Sequence, residues 1–168
     1  MKLRRATAED ADFLVDLLTH EDVEPYLSAI SAKDREAIVA AIERSEREPE
    51  THGQFIVEVD GQPAGTLRFE SAGGPSRIAQ CGGLAIHPDF RGQKLGDEAA
   101  RAFQRHLFDD LGFHRLQMEI YGFNERSIAH AERVGWLREG VKRKAYWRHG
   151  DWVDGVCYGL LAEDLDAG

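Results

Sequence analysis

Two kinds of hydrophobic spacing divide the chain into predicted helices and predicted strands. Apolar residues recur at helical spacing over residues 11–18, 38–42 and 99–111, and a shorter helical segment covers residues 124–134. Strand-like segments lie at residues 2–6, 77–86, 114–120, 136–144 and 152–161, and residues 54–70 contain two more. The order β-α-α-β-β-β-α-β-α-β-β predicts one α/β domain over residues 1–168, with helices flanking a mixed, mostly antiparallel sheet.

Small polar residues and glycines mark where several of these elements begin and end. Thr7 and Asp10 form a capping-box pattern before the first helix, and Ser31 is placed to cap the second helix. Asp60-Gly61 is a typical two-residue turn between the two strands of the 54–70 segment. Gly112 follows the third helix, where a glycine commonly ends a helix.

The composition is that of a globular protein and excludes several classes of function. Hydrophobic residues make up 42% and charged residues 30% of the 168 residues, and the formal net charge is −9. A chain this acidic has no general attraction for nucleic acid or for an anionic membrane surface. No apolar run approaches the roughly 20 residues that span a bilayer. The first residues lack a signal-peptide pattern, so we expect a cytoplasmic protein.

Cysteine and histidine spacing predicts neither a disulfide framework nor a metal site. Cys81 and Cys157 are far apart in the sequence and form no CxxC pair. The seven histidines show no HExxH or other paired-ligand spacing, so we expect no catalytic metal. The P-loop and GxGxxG motifs are also absent, which argues against the nucleotide-binding enzymes that carry them.

Charge is distributed unevenly along the chain. Residues 1–60 contain 15 acidic and 7 basic residues, a net charge of −8, whereas residues 61–168 have a net charge of −1. The later part includes a basic group of six residues: Arg133, Arg138, Lys142, Arg143, Lys144 and Arg148. Two interpretations stay open, namely two solvated faces of different charge, or one region that binds a cation and another that binds an anion.

The segment from Leu84 to Gly96 is the most informative part of the sequence. Here a strand ends, a glycine-containing turn follows and an amphipathic helix begins. Such a turn can aim successive backbone N–H groups at one point, where the helix dipole adds partial positive charge. Arg91 and Lys94 can add formal positive charge to the same place. We interpret the segment as a pyrophosphate cradle, with an ordinary glycine-containing helix start as the alternative.

This segment resembles the signature of the GNAT N-acetyltransferases, [R/Q]-x-x-G-x-[G/A], between the fourth strand and the third helix. Arg91 and Gly96 occupy its first and last positions, and Lys94 replaces its middle glycine. The likeness covers about residues 2–165 and is strongest to the ribosomal-protein and polyamine or small-amine acetyltransferase branches. Further matching segments are Asn124–Ile128, Val134–Trp136, Glu139-Gly140, His149–Asp154 and Tyr158.

The resemblance implies the GNAT fold and acetyl transfer from acetyl-CoA to a primary amine, without a covalent enzyme intermediate or a metal. It also implies that the strand before the turn pairs with the pantetheine arm and that the turn holds the pyrophosphate. The residues that match the cofactor contacts of the family are Leu84, Ala85, Ile86, Arg91, Gly92, Gln93, Lys94, Leu95, Gly96, Asn124 and Ser127. For Asn124 the alternative is a helix N-cap.

Two residues are candidates for proton transfer. Glu119 stands where several GNAT enzymes carry a general base, and a solvent-facing strand glutamate is the alternative. The tyrosine acid of many relatives is replaced here by Ala131, which leaves Ser127 as the first candidate acid, with Tyr121 and His130 also nearby in the sequence. A capping or cofactor-contacting hydroxyl is the alternative for Ser127. Two tyrosines of the closing strands, Tyr146 and Tyr158, could also reach the site, although aromatic residues in closing strands more often belong to the core.

The acceptor side of the fold is predicted to include Glu21, Glu24, Tyr26 and Tyr121. Carboxylates beside aromatic rings would attract a cationic amine such as a polyamine, an aminoglycoside or a basic protein N-terminus, and an acidic solvated surface is the alternative. A second hypothesis is a GNAT-fold module that binds acyl-CoA as a sensor or scaffold without catalysis. A homodimer is possible, and the sequence does not decide it.

Overall fold

The computed structural model describes residues 1–166. Its strands are β1 (Lys2–Arg5), β2 (His52–Val59), β3 (Gln62–Ser71), β4 (Ile78–Ile86), β5 (Arg115–Tyr121), β6 (Leu137–Arg148) and β7 (Asp151–Leu161). Its helices are α1 (Ala11–Thr19), α2 (Arg35–Arg47), α3 (Leu95–Arg105), α4 (Glu125–Arg133) and the short α5 (Ala162–Leu165). Short 3-10 turns lie at Ala8–Asp10, Glu24–Tyr26 and Pro88–Phe90, and a π-helical turn at His106–Asp110 extends α3.

The described residues form a seven-stranded sheet in the order β1-β2-β3-β4-β5-β7-β6. Neighbouring strands are antiparallel except β4 and β5, which run parallel. The predicted α/β class and the predicted order of elements are therefore confirmed. Within residues 1–166, none of the helices combines the length and the apolar composition needed to cross a bilayer.

Helices cover both faces of the sheet, and strand alternation sorts the side chains between them. Leu67 and Phe69 of β3 face α3, where they belong to the main hydrophobic core with Phe103. The intervening positions face α1 and α2, where Ile56 of β2 packs with the buried apolar residues of both helices. Arg68 pairs with Gln54 across the β2–β3 ladder, and Gln54 lies two residues from Ile56. Because paired residues share a face of the sheet, and so do residues two apart on one strand, Arg68 also faces the α1–α2 side.

The capping predictions are confirmed at one helix and wrong at another. The backbone N–H of Thr7 donates to the Asp10 carboxylate at 2.8 Å, as a capping box requires. The second helix begins after Asp34 rather than after Ser31, because the Asp34 carboxylate accepts the backbone N–H of Ala37 at 2.9 Å. Ser31 lies in the preceding loop, three residues too early to reach the free N–H groups of the first turn.

Candidate functional site

Strands β4 and β5 pair only at their first residues and then separate. The ladder joins Ile78–Gln80 to Arg115–Gln117, whereas the remainder of β5 continues to pair with β7. From Cys81 onward, the β5-facing edge of β4 has no strand beside it within the described part of the chain. The sheet therefore has a split between β4 and β5, and this opening connects one face of the sheet with the other.

A bulge in β4 helps to form this split. Thr66 pairs with Ala85 and Arg68 with Gly82, so that Leu67 of β3 lies opposite both Gly83 and Leu84. Gly83 has φ +67°, a left-handed conformation that favours glycine. Gly82 and Gly83, two residues of a type that is unfavourable in a regular strand, thus mark the point where β4 bends away from β5.

Two adjoining cavities occupy the split and its surroundings. A cavity of about 410 Å³ lies within the split and is lined by both strands and by the loop after α1. A second cavity of about 920 Å³ lies along the first turns of α3 and α4. Leu84, Asn124 and Ser127 line both cavities, so the two spaces meet at these residues.

The turn before α3 has the geometry of an anion cradle. Gly92 has φ +90° and Lys94 has φ +55°, so Lys94 adopts the left-handed conformation that a glycine would favour at that position. Among the described residues, the backbone N–H groups of Leu95 and Gly96 have no hydrogen-bond acceptor. Both residues line the larger cavity. The turn therefore keeps its backbone shape although its middle signature position carries a side chain.

Space at Gly96 and charge around the larger cavity also fit a diphosphate. A Cβ atom at Gly96 would lie 3.6 Å from His130 Cε1 and 3.9 Å from Ile86 Cγ1, which leaves no room for a longer side chain. Arg91, Lys94, Arg126 and Arg133 line the same cavity. Of the residues matched to cofactor contacts, Leu84, Ala85, Ile86, Arg91, Gly92, Lys94, Leu95, Gly96, Asn124 and Ser127 line one or both cavities. Gln93 lies in the turn and lines neither cavity.

Asn124 and Ser127 are placed by the start of α4. The Asn124 side chain accepts the backbone N–H of Ser127 at 3.2 Å, so the helix-cap interpretation of Asn124 is confirmed. Asn124 is also buried against both cavities, and a cap can lie at a binding site. The Ser127 hydroxyl has no hydrogen-bond partner among residues 1–166 and is half-buried where the two cavities meet.

A charged cluster joins α3 to α4 beside these residues. The Asp97 carboxylate accepts hydrogen bonds from Arg133 at 2.7 Å and lies 3.0 Å from His130 Nδ1. The Arg133 guanidinium lowers the pKa of Asp97 to about 2. Burial lowers the pKa of His130, which favours a neutral imidazole that donates from Nδ1 to Asp97. Asp97 thus compensates the positive charge of Arg133 and orients the His130 ring toward the cavities.

Glu119 faces the smaller cavity from β5. Its two carboxylate oxygens accept hydrogen bonds from the Lys142 ammonium and from the Tyr146 hydroxyl, both on β6. Burial by itself raises the pKa of Glu119, but the hydrogen bonds from Lys142 and Tyr146 outweigh burial and hold this pKa below its ordinary value. Glu119 is therefore ionised at neutral pH. It is exposed on β5, as the solvent-facing alternative expects, and it also lines the cavity.

Gly155 makes room for the contact between Tyr146 and Glu119. A Cβ atom at Gly155 would lie 2.6 Å from Tyr146 Cε2 and 3.2 Å from Glu119 Oε2. The expectation that Tyr146 belongs to the core is wrong, because its ring lines the cavity. The same expectation is confirmed for Tyr158, which is 1% exposed and donates its hydroxyl to Glu132.

Aromatic residues line the side of the cavity near the loop after α1. Tyr121 stacks on Phe123 with ring centroids 5.4 Å apart, and Tyr26 lies 6.3 Å from Phe123. The Tyr121 hydroxyl accepts the backbone N–H of Ala29 at 3.1 Å, which attaches the loop to β5. Tyr26 and Tyr121, both predicted on the acceptor side, therefore lie in one aromatic wall.

The two carboxylates predicted on that side do not form an open anionic site. The Glu24 carboxylate pairs with Lys33 and with Arg148, and Lys33 holds the pKa of Glu24 below its ordinary value. Glu21 lines neither cavity. The basic group of the sequence is also divided, because Arg148 pairs with Glu24, Lys142 with Glu119 and Arg133 with Asp97.

Three residues that sequence reasoning did not place in the site line the cavity or contact Glu119. Arg68 lines the cavity from β3, and Tyr146 and Lys142 reach it from β6. Lys142 and Tyr146 flank a bulge, at which the ladder steps from the Lys142–Gly155 pair to the Tyr146–Val153 pair. Simple strand alternation cannot place side chains across such a bulge, although the glycine at Gly155 is a signal that something passes close to the backbone.

Comparisons with known proteins agree with this arrangement. The family model described as an acetyltransferase (GNAT) domain matches residues 1–136. The SPbeta prophage-derived uncharacterized N-acetyltransferase YokL of Bacillus subtilis (strain 168) is 30% identical over 83 residues, which are 49% of this chain and 47% of that protein. The putative ribosomal N-acetyltransferase YdaF of the same organism is 30% identical over 107 residues, 64% of this chain and 58% of that protein. The chain thus spans about half the length of these relatives.

Solved structures share the whole fold at lower sequence identity. RimJ of Mycobacterium smegmatis, in complex with CoA-disulfide, superposes with a TM-score of 0.83 at 22% identity and covers 97% of this chain and 82% of its own. A point mutant of spermidine N-acetyltransferase SpeG from Vibrio cholerae superposes with a TM-score of 0.84 at 16% identity and covers 99% of each chain. The fold that the sequence resemblance implied is confirmed, and the chain belongs to the GNAT acetyltransferase family.

Proposed function

We propose that the chain transfers an acetyl group from acetyl-CoA to a primary amine, carried by a small molecule or by a protein N-terminus. The observation that supports this most directly is the split between β4 and β5, which connects two cavities of different chemistry. On one side, unpaired backbone N–H groups and arginines suit a diphosphate. On the other side, an ionised carboxylate and a tyrosine suit an ammonium group.

Acetyl-CoA, when bound, supplies an acetyl group activated as a thioester. The N–H groups of Leu95 and Gly96, with Arg91 and Lys94, would hold its diphosphate. The free edge of β4 at Leu84 and Ile86 would pair with the amides of the pantetheine arm as an added strand. Ser127, at the junction of the cavities, would donate a hydrogen bond to the sulfur of the departing CoA thiolate, which takes its proton from solvent.

Glu119 binds the amine as its ammonium form in this proposal. The ordinary pKa of a glutamate carboxyl lies about 3 to 4 units below that of an α-ammonium, which corresponds to about 5 kcal/mol. The lowered pKa of Glu119 widens that gap, so direct and complete proton removal by Glu119 is unfavourable. We infer that Glu119 orients the ammonium and passes its proton to solvent through the open side of the cavity, after which the neutral amine attacks.

The experiment combines calorimetric binding of CoA with thiol release from acetyl-CoA in the presence of a panel of primary amines. Replacement of Gly96 by isoleucine should weaken CoA binding by at least about tenfold, because the side chain would meet His130 and Ile86 in the cradle. Gly140→Val on β6 is the matched control, since no atom lies within 4 Å of the position of its Cβ. Unchanged affinity in Gly96→Ile would contradict the cradle. Binding without turnover of any amine would favour the non-catalytic sensor.

A further inference from the structure

We propose that the amine acceptor carries a carboxylate and that Arg68 binds this carboxylate. This inference concerns the acceptor of the proposed acetyl transfer and rests on that function. It replaces the cationic acceptor favoured by the charge of residues 1–60 with an anionic or zwitterionic one. Free amino acids and peptides with an acidic first residue share the required chemistry.

Arg68 lies on the same face of the sheet as Glu119. Cross-strand partners share a face, and so do residues two apart on one strand. Arg68 and Glu70 are two apart on β3, Glu70 pairs with Gln80 of β4, and Gln80 pairs with Gln117 of β5. Glu119 lies two residues beyond Gln117. Arg68 and Glu119 therefore approach the same cavity from opposite sides of the split, and both line it.

The bulge of β4 positions the Arg68 side chain. A Cβ atom at Gly83 would lie 3.1 Å from both Cγ and Nε of Arg68, and one at Gly82 would lie 3.9 Å from its Nη2. The stem of the arginine therefore lies over the backbone of Gly82 and Gly83. These glycines leave space for the stem and direct the guanidinium along the edge of the split.

Arg68 differs from the other charged side chains of this cavity in having no partner. Glu119 pairs with Lys142, and Glu70 lies 3.2 Å from His52. Within residues 1–166, Arg68 forms neither an ion pair nor a hydrogen bond, although it lines the cavity. Its five N–H donors are thus free for a ligand, and a guanidinium binds a carboxylate with two parallel hydrogen bonds.

The surrounding charges disfavour a polycation. Glu119, the carboxylate assigned to the acceptor amine, also pairs with Lys142, and the Glu24 carboxylate is shared between Lys33 and Arg148. A second ammonium on the acceptor would meet Arg68 rather than an unpaired carboxylate. An acceptor whose carboxylate lies a few bonds from its amine can instead place the amine at Glu119 and the carboxylate at Arg68.

The test compares acceptors that differ in one carboxylate, with kcat/KM expressed per concentration of neutral amine because the carboxylate also changes the basicity of the amine. The pairs are glycine with glycinamide, β-alanine with β-alaninamide, and the amidated dipeptides Asp-Ala and Asn-Ala, with spermidine as the polycation. We expect kcat/KM to favour the carboxylate member of at least one pair by about 10- to 100-fold, the range of one charge-assisted contact. A preference within the amino-acid pairs would indicate a free amino acid as the acceptor, and a preference within the dipeptide pair would indicate a peptide.

Arg68→Gln should abolish this preference by lowering kcat/KM for the carboxylate member toward that for the neutral member. Arg105→Gln, an exposed arginine of α3 that lines neither cavity, is the matched control and should retain the preference. Equal rates within every pair, or a preference that persists in Arg68→Gln, would overturn the inference. Faster acetylation of spermidine than of every carboxylate amine would do the same and would leave acetyl transfer itself intact.

A binding measurement separates this inference from the proposed function. Each acceptor is titrated into the protein in the presence of CoA, and the dissociation constants of the pair are compared. The inference would be supported, even if no thiol were released, if the carboxylate member bound more tightly than its partner and Arg68→Gln removed this difference in affinity. Equal binding of both members, without turnover, would overturn the inference as well as the proposed transfer.

Discussion

Replacing Glu119 by glutamine tests the part of the site on which acetyl transfer depends most. The substitution keeps the size of the side chain and the acceptor oxygen for Tyr146, but removes the negative charge that pairs with Lys142. The side chains of Lys142 and Glu119 are 54% and 27% exposed, so solvent weakens the ion pair. We expect the free energy of unfolding to fall by only about 1 kcal/mol.

Activity should fall far more than stability. If Glu119 orients the ammonium and passes its proton through water to solvent, Glu119→Gln should lower kcat by about 100-fold, the lower end of the range for a positioned proton-transfer group. The affinity for CoA should stay within about twofold, because the cradle lies on the other side of the split. Thiol release under saturating acetyl-CoA measures the first quantity, and calorimetry measures the second.

The pH dependence gives the sharpest test. Burial raises the pKa of Glu119, but the hydrogen bonds from Lys142 and Tyr146 outweigh burial and hold this pKa below its ordinary value of 4.5. The carboxylate is therefore ionised throughout the neutral range, and its contribution is lost only in acid, below that ordinary value. Between pH 5 and 9 the rate of the unaltered protein should rise with the fraction of neutral amine. Glu119→Gln should keep that rise at a lower rate. A limb near pH 6–7 that disappears in Glu119→Gln would refute this assignment.

Glu139→Gln is the matched control for this substitution. Glu139 lies on β6, pairs with Arg115 of β5 and lines neither cavity. It therefore loses a comparable partly exposed ion pair without touching the proposed site. Its kcat should stay within about twofold of the unaltered protein. An equal loss of activity in both variants would show that the effect of Glu119→Gln is structural.

Two further predictions concern stability and the placement of Tyr146. Asp10→Asn should lower the free energy of unfolding by about 2 kcal/mol at pH 7, because the buried Asp10 carboxylate accepts two hydrogen bonds from Arg4 at 2.8 and 2.9 Å. Burial raises the pKa of Asp10, but the hydrogen bonds from Arg4 and Thr7 outweigh burial and leave this pKa lowered, so the stabilisation by Asp10 is lost as the pH falls. Denaturant unfolding of both proteins at pH 7 and pH 3 should therefore show a smaller difference in the free energy of unfolding at pH 3. An equal difference at both pH values would contradict this prediction. Gly155→Ala should displace Tyr146 and lower kcat by about tenfold with little change in CoA affinity, and unchanged kcat would contradict the proposed contact.

Local patterns were sufficient to predict the order of the elements. Helical spacing, strand composition and the Asp60-Gly61 turn depend on residues that are neighbours in the chain, and Asp60 and Gly61 both have the positive φ that this turn requires. The turn before α3 was also predictable, because one continuous segment combines a strand end, a glycine turn and a helix start. Its unpaired N–H groups follow from the geometry of any helix start.

The start of α2 shows where local reasoning fails. Ser31 and Asp34 both belong to residue types that cap helices well. Which of the two caps α2 depends on the path of the loop after α1, because that path determines where α2 can begin. Tyr121 attaches that loop to β5 through the N–H of Ala29, a contact between residues 92 positions apart in the sequence. A long-range contact of this kind has no signature in a window of neighbouring residues.

Electrostatics was the property that the sequence alone described least well. Counting charges showed that residues 1–60 are acidic, but the effective charge of Glu24 depends on Arg148, which only the folded sheet brings within 3.2 Å. In the same way, Arg68 and Glu119 share a cavity because β4 separates from β5 beyond Gln80. Local sequence specifies the helices and strands and the turn before α3, since both depend on neighbouring residues. The tertiary structure decided which charges remain unpaired, since pairing acts through space between strands that are distant in the chain.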